Sequence, residues 1–377
     1  MLLTLLFFAI AAALALDIVL GLRRLARLRE LPATSSGSVV SIVVAGRDEE
    51  RGIEAAMRSL LEQKHPNLEI IAIDDRSTDQ TGAILDRLAH EDSRLGVLHL
   101  HELPAGWLGK NHALSLGASH ASGRWLLFTD ADVVMEPEAV TRALGFAERE
   151  GFDHLTVLPE TIVPTFWLQA FVTAFSVWGL AASRPWVVKR PNNRRFLGVG
   201  AFNLVRAESY RKVGGHERIR LRPDDDLKLG KILKQSGART DVLRGRGSVS
   251  VEWYRSLGEA IAGLMKNSFS VIEYNTIFAL GGVLIYVLAA LGPFAAMILG
   301  GTVTRLAGAG ILLAELFAAW TLSRDIPTPR RSALLFPVAC LILAWVLLRA
   351  TVVTLAAGGI RWRGTFYSLR ELKGNRV

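Results

Sequence analysis

From Val39 to about Val157, short runs rich in β-branched residues alternate with stretches of helical spacing. This alternation limits the fold more than any other feature. Val39–Ala45, Leu68–Ile73, Leu95–His101 and Trp125–Thr129 read as strands. Glu49–Gln63, Thr78–Ala89 and Asn111–Ala121 read as helices between them. In the first helix Ile53, Met57 and Leu60/Leu61 share one face, and Thr78 or Asp79 is placed to cap the second. Such alternation implies an α/β fold with a mostly parallel sheet, whose ligands bind at the C-terminal ends of the strands.

Acidic clusters fall at those ends: Arg47-Asp48-Glu49-Glu50 after the first strand, Asp74-Asp75 after the second, and Asp130-Ala131-Asp132 after the fourth. Side chains alternate along an extended chain, so Asp130 and Asp132 project to one side with Ala131 opposite. Paired carboxylates at a strand end suit a hard divalent cation, Mg²⁺ or Mn²⁺, beside phosphate oxygens. Alone, Asp-Ala-Asp reads more readily as a solvated turn. Three acidic clusters along one sheet edge are harder to read that way.

A further cluster follows a basic loop. Gly214-Gly215-His216 and the arginines 218, 220 and 222 lead into Pro223-Asp224-Asp225-Asp226, where an amphipathic helix begins. Capping and the helix dipole account for one aspartate at a helix start. Three in succession repel one another unless cations or a proton relieve them.

Hydrophobic residues make up 50% of the 377-residue chain and charged residues 21%, an apolar balance concentrated in long runs. Residues 2–20 are apolar except for Thr4 and Asp17, and Arg23, Arg24, Arg27 and Arg29 follow them. Positive charge after the run predicts a membrane anchor over residues 1–22 with its C-terminal end cytoplasmic, then a basic linker over 23–38. Thr165–Ser183 is uncharged and aromatic, with Trp167, Phe171, Phe175 and Trp178 on one helical face. It reads as a helix lying in the membrane interface, an ordinary buried helix being the alternative. Thr276–Gly300, Leu306–Leu322 and Ala333–Ala357 are each near spanning length, giving three C-terminal crossings over 276–357. Arg324, Arg330 and Arg331 favour a cytoplasmic loop at 323–332. The basic tail, residues 358–377, then falls outside despite Arg361, Arg363, Arg370, Lys373 and Arg376. Either the tail departs from the positive-inside tendency or one run is re-entrant. The net charge of +9 suits an anionic membrane surface, and no nucleic-acid motif accompanies it. The single cysteine, Cys340, excludes an internal disulfide.

Together these residues resemble the family 2 glycosyltransferases, inverting enzymes with a GT-A fold. The resemblance runs from Ser41 to about Phe269. It is carried by Ser-Ile-Val-Val-Ala-Gly-Arg-Asp-Glu-Glu, Ile-Asp-Asp-Arg-Ser-Thr-Asp-Gln-Thr, Gly-Lys-Asn-His-Ala-Leu, Thr-Asp-Ala-Asp and the Asp-Asp-Asp-Leu helix start. Leu103–Lys110, Tyr254-Arg255-Ser256-Leu257 and Lys266-Asn267 are similar to the membrane branch that includes hopanoid-associated and carotenoid glycosyltransferases.

The resemblance implies a role for each motif. Ala45, Arg47 and Glu49 would border the donor nucleotide, and Asp75 would contact its base or ribose. Lys110 would meet the diphosphate, a surface lysine being the alternative. Asp130 would approach the donor sugar or ribose and share the metal with Asp132, its main ligand. Asp226 would be the general base, with Asp225 beside it. Arg255 would aid the diphosphate, or else bind lipid headgroups. The implied cofactor is a divalent cation, Mg or Mn, and the implied partners are a nucleotide-sugar donor, a lipid acceptor and the membrane, with no nucleic acid. Two positions depart from the pattern: Asp48 stands where Asn is common, and Glu252-Trp253-Tyr254-Arg255 replaces the Gln-x-x-Arg-Trp of processive synthases.

The expectation is therefore an enzyme of the inner cell membrane, multi-pass, its catalytic domain (39–270) cytoplasmic, moving a sugar onto a hopanoid-, carotenoid- or glycerolipid-like acceptor. A polyprenyl-phosphate sugar synthase is the alternative within the class. A non-catalytic nucleotide-sugar-binding scaffold is the alternative outside it.

Overall fold

The structure, a computed structural model, describes residues 1–34, 36–322 and 330–377. Arg324, assigned above to a cytoplasmic loop, lies outside the described residues. The chain divides into two units: residues 25–160, 185–252 and 374–377 form one, and residues 1–24, 161–184 and 253–373 the other.

The strands, in chain order, are β1 (Val40–Gly46), β2 (Leu68–Asp75), β3 (Leu95–Leu100), β4 (Trp125–Asp130), β5 (Val133–Met135), β6 (His154–Leu158), β7 (Glu160–Ile162), β8 (Asn203–Arg206), β9 (Thr240–Arg244), β10 (Val249–Glu252), β11 (Gly359–Trp362) and β12 (Thr365–Ser368). The helices are α1 (Leu2–Arg24), α2 (Ile53–Leu61), α3 (Thr81–Glu91), α4 (Gly109–His120), α5 (Ala139–Glu150), α6 (Phe166–Ser183), α7 (Ala207–Lys212), α8 (Asp225–Gln235), α9 (Leu257–Asn267), α10 (Thr276–Leu299), α11 (Thr302–Leu322), α12 (Phe336–Ala357) and α13 (Leu369–Gly374).

The first unit is built on a seven-stranded sheet of order β3-β2-β1-β4-β8-β6-β9. It is mostly parallel, as the strand–helix alternation predicts. The exception is β8, antiparallel to both β4 and β6. Parallel strands buried on both faces need continuous apolar runs. β1 and β4 supply them: Val40, Ile42, Val43, Trp125, Leu126 and Leu127 are fully buried. The β1 register pairs Ala45 with Asp130 on one side and Gly46 with Asp74 on the other. The acidic strand ends therefore meet along one edge.

Two helices start later than their spacing predicts, α2 at Ile53 and α3 at Thr81. The loops preceding them are bonded to each other. The Asp48 N–H donates to Ser77 Oγ, Glu49 N–H to Thr81 Oγ1 and Glu50 N–H to Asp79 Oδ2. In return Thr78 N–H donates to Asp48 Oδ1 and Gln80 N–H to Glu50 Oε2. Polar side chains that capture backbone donors compete with the first helical turn.

The other unit holds the long apolar helices. Among the described residues five segments are long and apolar enough to cross a membrane: Leu2–Arg24, Phe166–Val187, Thr276–Leu299, Thr302–Leu322 and Arg331–Ala357. In α6 the polar face is the hidden one. Gln169 and Thr173 are buried, with Gln169 Nε2 donating to Val163 O, whereas Trp167 and Phe175 are exposed. Phe171 departs from the expected aromatic face and is buried. Asp17 of α1, tolerated at the edge of an apolar run, accepts from Arg184 at 2.8 and 3.0 Å.

α10 and α11 are joined only by Gly300-Gly301 and pack side by side, Gly308 lying so close that a Cβ there would come within 2.7 Å of Pro293 O. α12 also packs on α10, and in the opposite direction to it. A Cβ on Gly282 would come within 2.9 Å of Leu347, whereas Trp178 stacks edge-on with Tyr286 and donates to Cys340 Sγ at 3.3 Å. Just beyond the C-terminus of α12, Trp362 carries the Lys266 ammonium 4.4 Å from its ring centre, and Lys266 precedes α10. α11 and α12 thus both run against α10.

Candidate active site

The first-unit site is assembled from the ends of β4, α4 and α8 and the loop before β8. α4 starts at Gly109, which puts Lys110 in its first turn. Lys110 Nζ donates to Asp130 Oδ1 at 2.6 Å and lies 3.7 Å from Asp225 Oδ2. Asp226 faces the same pocket, its Oδ2 accepting from Gly200 N–H at 2.8 Å and its Oδ1 from Leu227 N–H at 2.7 Å. Phe128, Thr129, Asn203 and His216 complete the wall.

The charges are arranged unevenly. Burial works against the Lys110 charge, yet Asp130, Asp225 and Asp226 outweigh it and hold the ammonium well above the usual lysine range. Lys110 is therefore a permanent cation. Burial also pushes the Asp225 and Asp226 carboxyls up, with Lys110 opposing and Asp130 adding to the rise in both.

The Asp224–Asp226 triplet is relieved by three cations. Asp224 receives the fully buried Arg222, at 3.0 Å, and Lys228 at 3.5 Å. Asp225 has Lys110. No Asp224 side-chain bond caps α8, so helix capping does not explain the cluster. Asp224 is structural, which leaves Asp225 and Asp226 at the pocket.

Asp132 lies just past β4, near the turn that enters α2: a Cβ on Gly52 would stand 3.5 Å from the Asp132 Cβ. Burial first, then Asp130 and Glu49, push its carboxyl up to about 7. A divalent cation relieves such crowding, so Asp132 and Asp130 fit the hard oxygen donors of Mg²⁺ or Mn²⁺. Among the described residues no three His, Cys, Asp or Glu side chains form a ready-made cage. Substrate oxygens would have to complete the coordination.

The remaining sequence candidates divide. Ala45 sits beside Asp130 in the sheet. Asp75, buried, accepts from Arg76 Nε at 2.7 Å, and a Cβ on Gly109 would collide with its Oδ2, which places it against the start of α4. Arg47 is 3.7 Å from Asp48, and Glu49 anchors the β1 loop through its N–H. Arg255 belongs to the other unit, where its N–H donates to Glu259 Oε2 at the start of α9.

Four site residues have no role assigned from the sequence. Gly200 presses on Asp130: a Cβ would come within 2.5 Å of Oδ2. Gly198 is tighter still, since a Cβ there would collide with Asp226 O. Asn111 ties α4 to the basic loop, donating to Ile219 O at 2.7 Å and Arg222 O at 3.0 Å. His216 Nδ1 and the Tyr210 hydroxyl share a hydrogen bond of 2.8 Å, and the His216 backbone N–H donates to the same hydroxyl oxygen. The available signal is the Gly198-Val199-Gly200 spacing and the Lys110-Asn111 pair.

Residues 41–213 match the family model described as Glycosyl transferase family 2. Over these residues the chain is similar to the family 2 glycosyltransferases. A 4,4'-diaponeurosporenoate glycosyltransferase of Staphylococcus haemolyticus is 24% identical over 221 residues, 58% of this chain and 57% of that protein. A beta-monoglucosyldiacylglycerol synthase of Trichormus variabilis is 34% identical over 145 residues, 36% of this chain and 31% of that protein. The chain thus spans about half or less of the length of these relatives. Among solved structures, a mannosyltransferase from Pyrobaculum calidifontis in complex with GDP-Man and Mn²⁺ superposes with a TM-score of 0.50 at 18% identity, covering 93% of this chain and 99% of that one. The likeness is one of fold, GT-A, in a chain with long apolar helices towards both ends.

Proposed function

We propose that the protein is a membrane-bound inverting glycosyltransferase that moves a sugar from a nucleoside-diphosphate sugar to the hydroxyl or carboxyl of a lipid. The observation that carries this reading is the division of one pocket into a cation, Lys110 at 2.6 Å from Asp130, and a separately held carboxylate, Asp226.

Each half suits one side of the reaction. Negative charge develops on the diphosphate as its bond to the anomeric carbon breaks, and a preorganised, permanently charged lysine stabilises it. A divalent cation held by Asp132 and Asp130 would supply further charge at the same oxygens. The acceptor oxygen attacks the anomeric carbon from the opposite face, which inverts it. The proton from a hydroxyl acceptor passes to Asp226, whose raised affinity for it follows from burial. Ala45, Arg47, Glu49 and Asp75 border the nucleotide in this reading. The relatives acting on a carotenoid acid and a diacylglycerol lipid favour an apolar acceptor.

We read the protein as an inner-membrane enzyme with its catalytic residues cytoplasmic, a reading that five long apolar segments and the arginines following the first of them support. α11 and α12 both run against α10, and residues 323–329 between them lie outside the described residues. We read one of the three C-terminal apolar runs as re-entrant rather than a full crossing. The tail then ends on the catalytic side, in agreement with residues 374–377 packing in the catalytic unit and with the positive-inside tendency.

The test is a comparison by mass spectrometry of lipid extracts from cells with and without the protein. A new glycolipid supports the reading and gives sugar and acceptor masses together. A lengthened soluble polysaccharide, with unchanged lipids, contradicts it.

A further inference from the structure

The aspartates at the start of α8 follow a loop whose backbone is held from two sides. On one side α4 provides the bonds: Leu108 N–H donates to Arg220 O at 2.9 Å, and Asn111 Nδ2 reaches Ile219 O and Arg222 O. On the other side the partner comes from the far end of the chain. Leu221 N–H donates to Asn375 Oδ1 at 2.9 Å, and Asn375 Nδ2 donates to Arg218 O at 2.9 Å. One amide thereby serves as acceptor and donor to two backbone groups of the same loop, as a paired strand does.

The tail that carries this amide is itself seated. Lys231 of α8 donates to Val377 O, and the Val377 side chain packs against the cluster that includes Leu229, Ile232 and Leu233. Loop and tail are thus fastened to each other and to α8. Only Arg222, Pro223 and Asp224 separate Leu221 from Asp225, and Arg222 is locked onto Asp224.

We infer that Asn375 is a positioning residue for the reaction: it fixes the Arg218–Leu221 loop so that Asp225 and Asp226 stay aimed at the Lys110 pocket. This rests on the transferase reading above. Asn375 is not among the residues that line the Lys110 pocket, so its effect passes through the loop it holds. Loosening the loop leaves Lys110, Asp130 and the donor side in place and moves the acceptor side. The expected signature is a lowered kcat with an unaltered donor KM.

The test uses the full-length protein in lipid vesicles, as wild type, Asn375→Ala and Asn375→Asp. Hydrogen exchange over residues 215–226 should rise by about tenfold in Asn375→Ala while the β1, β2 and β4 peptides keep wild-type protection. Transfer kcat should fall about ten- to a hundredfold with donor KM within about twofold, because small misplacements of a reacting group are costly. Asn375→Asp, which keeps the acceptor for Leu221 N–H and loses the donor, should lie between. Unchanged exchange over 215–226 overturns the inference, as does raised exchange with full kcat. A wild type without turnover on any nucleotide sugar defeats the transferase reading, and with it any catalytic role for Asn375. Exchange alone decides whether the loop is clamped.

Discussion

Lys110 donates to Asp130 across 2.6 Å, joining the first turn of α4 to the last residue of β4. The bond places a permanent cation where three acidic side chains meet, and each of them loses its counter-ion if the lysine is removed. Lys110→Met should lower transfer by about a hundredfold or more, the scale of deleting one preorganised electrostatic group. Lys110→Arg should recover little, since a planar guanidinium does not substitute for a compact ammonium in a filled site. Initial rates on the three proteins check this.

Gly200 has a second, steric role. Its N–H holds Asp226 and its missing side chain admits Asp130, so Gly200→Ala drives a methyl to 2.5 Å from Asp130 Oδ2. Transfer should fall at least about tenfold, in line with a displaced catalytic group. Gly179→Ala is the control, because nothing lies within 4 Å of a Cβ there. It should leave transfer intact and, in a helix, stabilise by about 0.5–1 kcal/mol.

The proposed metal dependence is tested at Asp132. Chelation should abolish turnover, and Mn²⁺ or Mg²⁺ should restore it. Asp132→Asn should raise the metal concentration needed for half-maximal rate by about tenfold or more, as loss of a charged ligand does. Titrating metal into the chelated enzyme gives the number.

Acid sensitivity should arise from two buried histidines. Burial lowers His154 to about 4, with the Asn203 bond opposing, and burial together with Lys110 lowers His216 to about 3. Each is neutral in the folded protein at pH values where the unfolded chain already binds a proton. Stability from this source is complete above the unfolded value of about 6.5 and is lost as pH falls towards the folded values. The loss is at most about 1.4 kcal/mol per pH unit for each histidine. Denaturant midpoints between pH 7 and pH 5 should decline, and less steeply in His154→Gln.

How far the sequence reaches can be judged from particular residues. β1 and β4 are legible because strands buried on both faces must be continuously apolar, and Asp130 and Asp132 because they end such a run. The start of α8 at Asp225 also follows from local pattern. The late starts of α2 and α3 do not, since the bonds of Asp48 and Glu50 that delay them come from a loop some thirty residues away. β8 enters the sheet antiparallel between β4 and β6, a placement that four residues of strand pattern cannot specify. Asp224, Asp225 and Asp226 look alike in the sequence. Arg222 and Lys228 on Asp224, and Lys110 beside Asp225, tell them apart through contacts made after folding.

In the proposed reaction Asp226 takes the proton of a lipid acceptor while Lys110 faces the donor. Incorporation of label from radioactive UDP- and GDP-sugars into extractable lipid, by wild type and Asp226→Asn in vesicles, tests it most directly. Label should enter lipid with wild type and fall by about a hundredfold or more in Asp226→Asn at unchanged donor KM. Wild-type label that persists in Asp226→Asn, or no lipid label at all from an enzyme that consumes the donor, would contradict it.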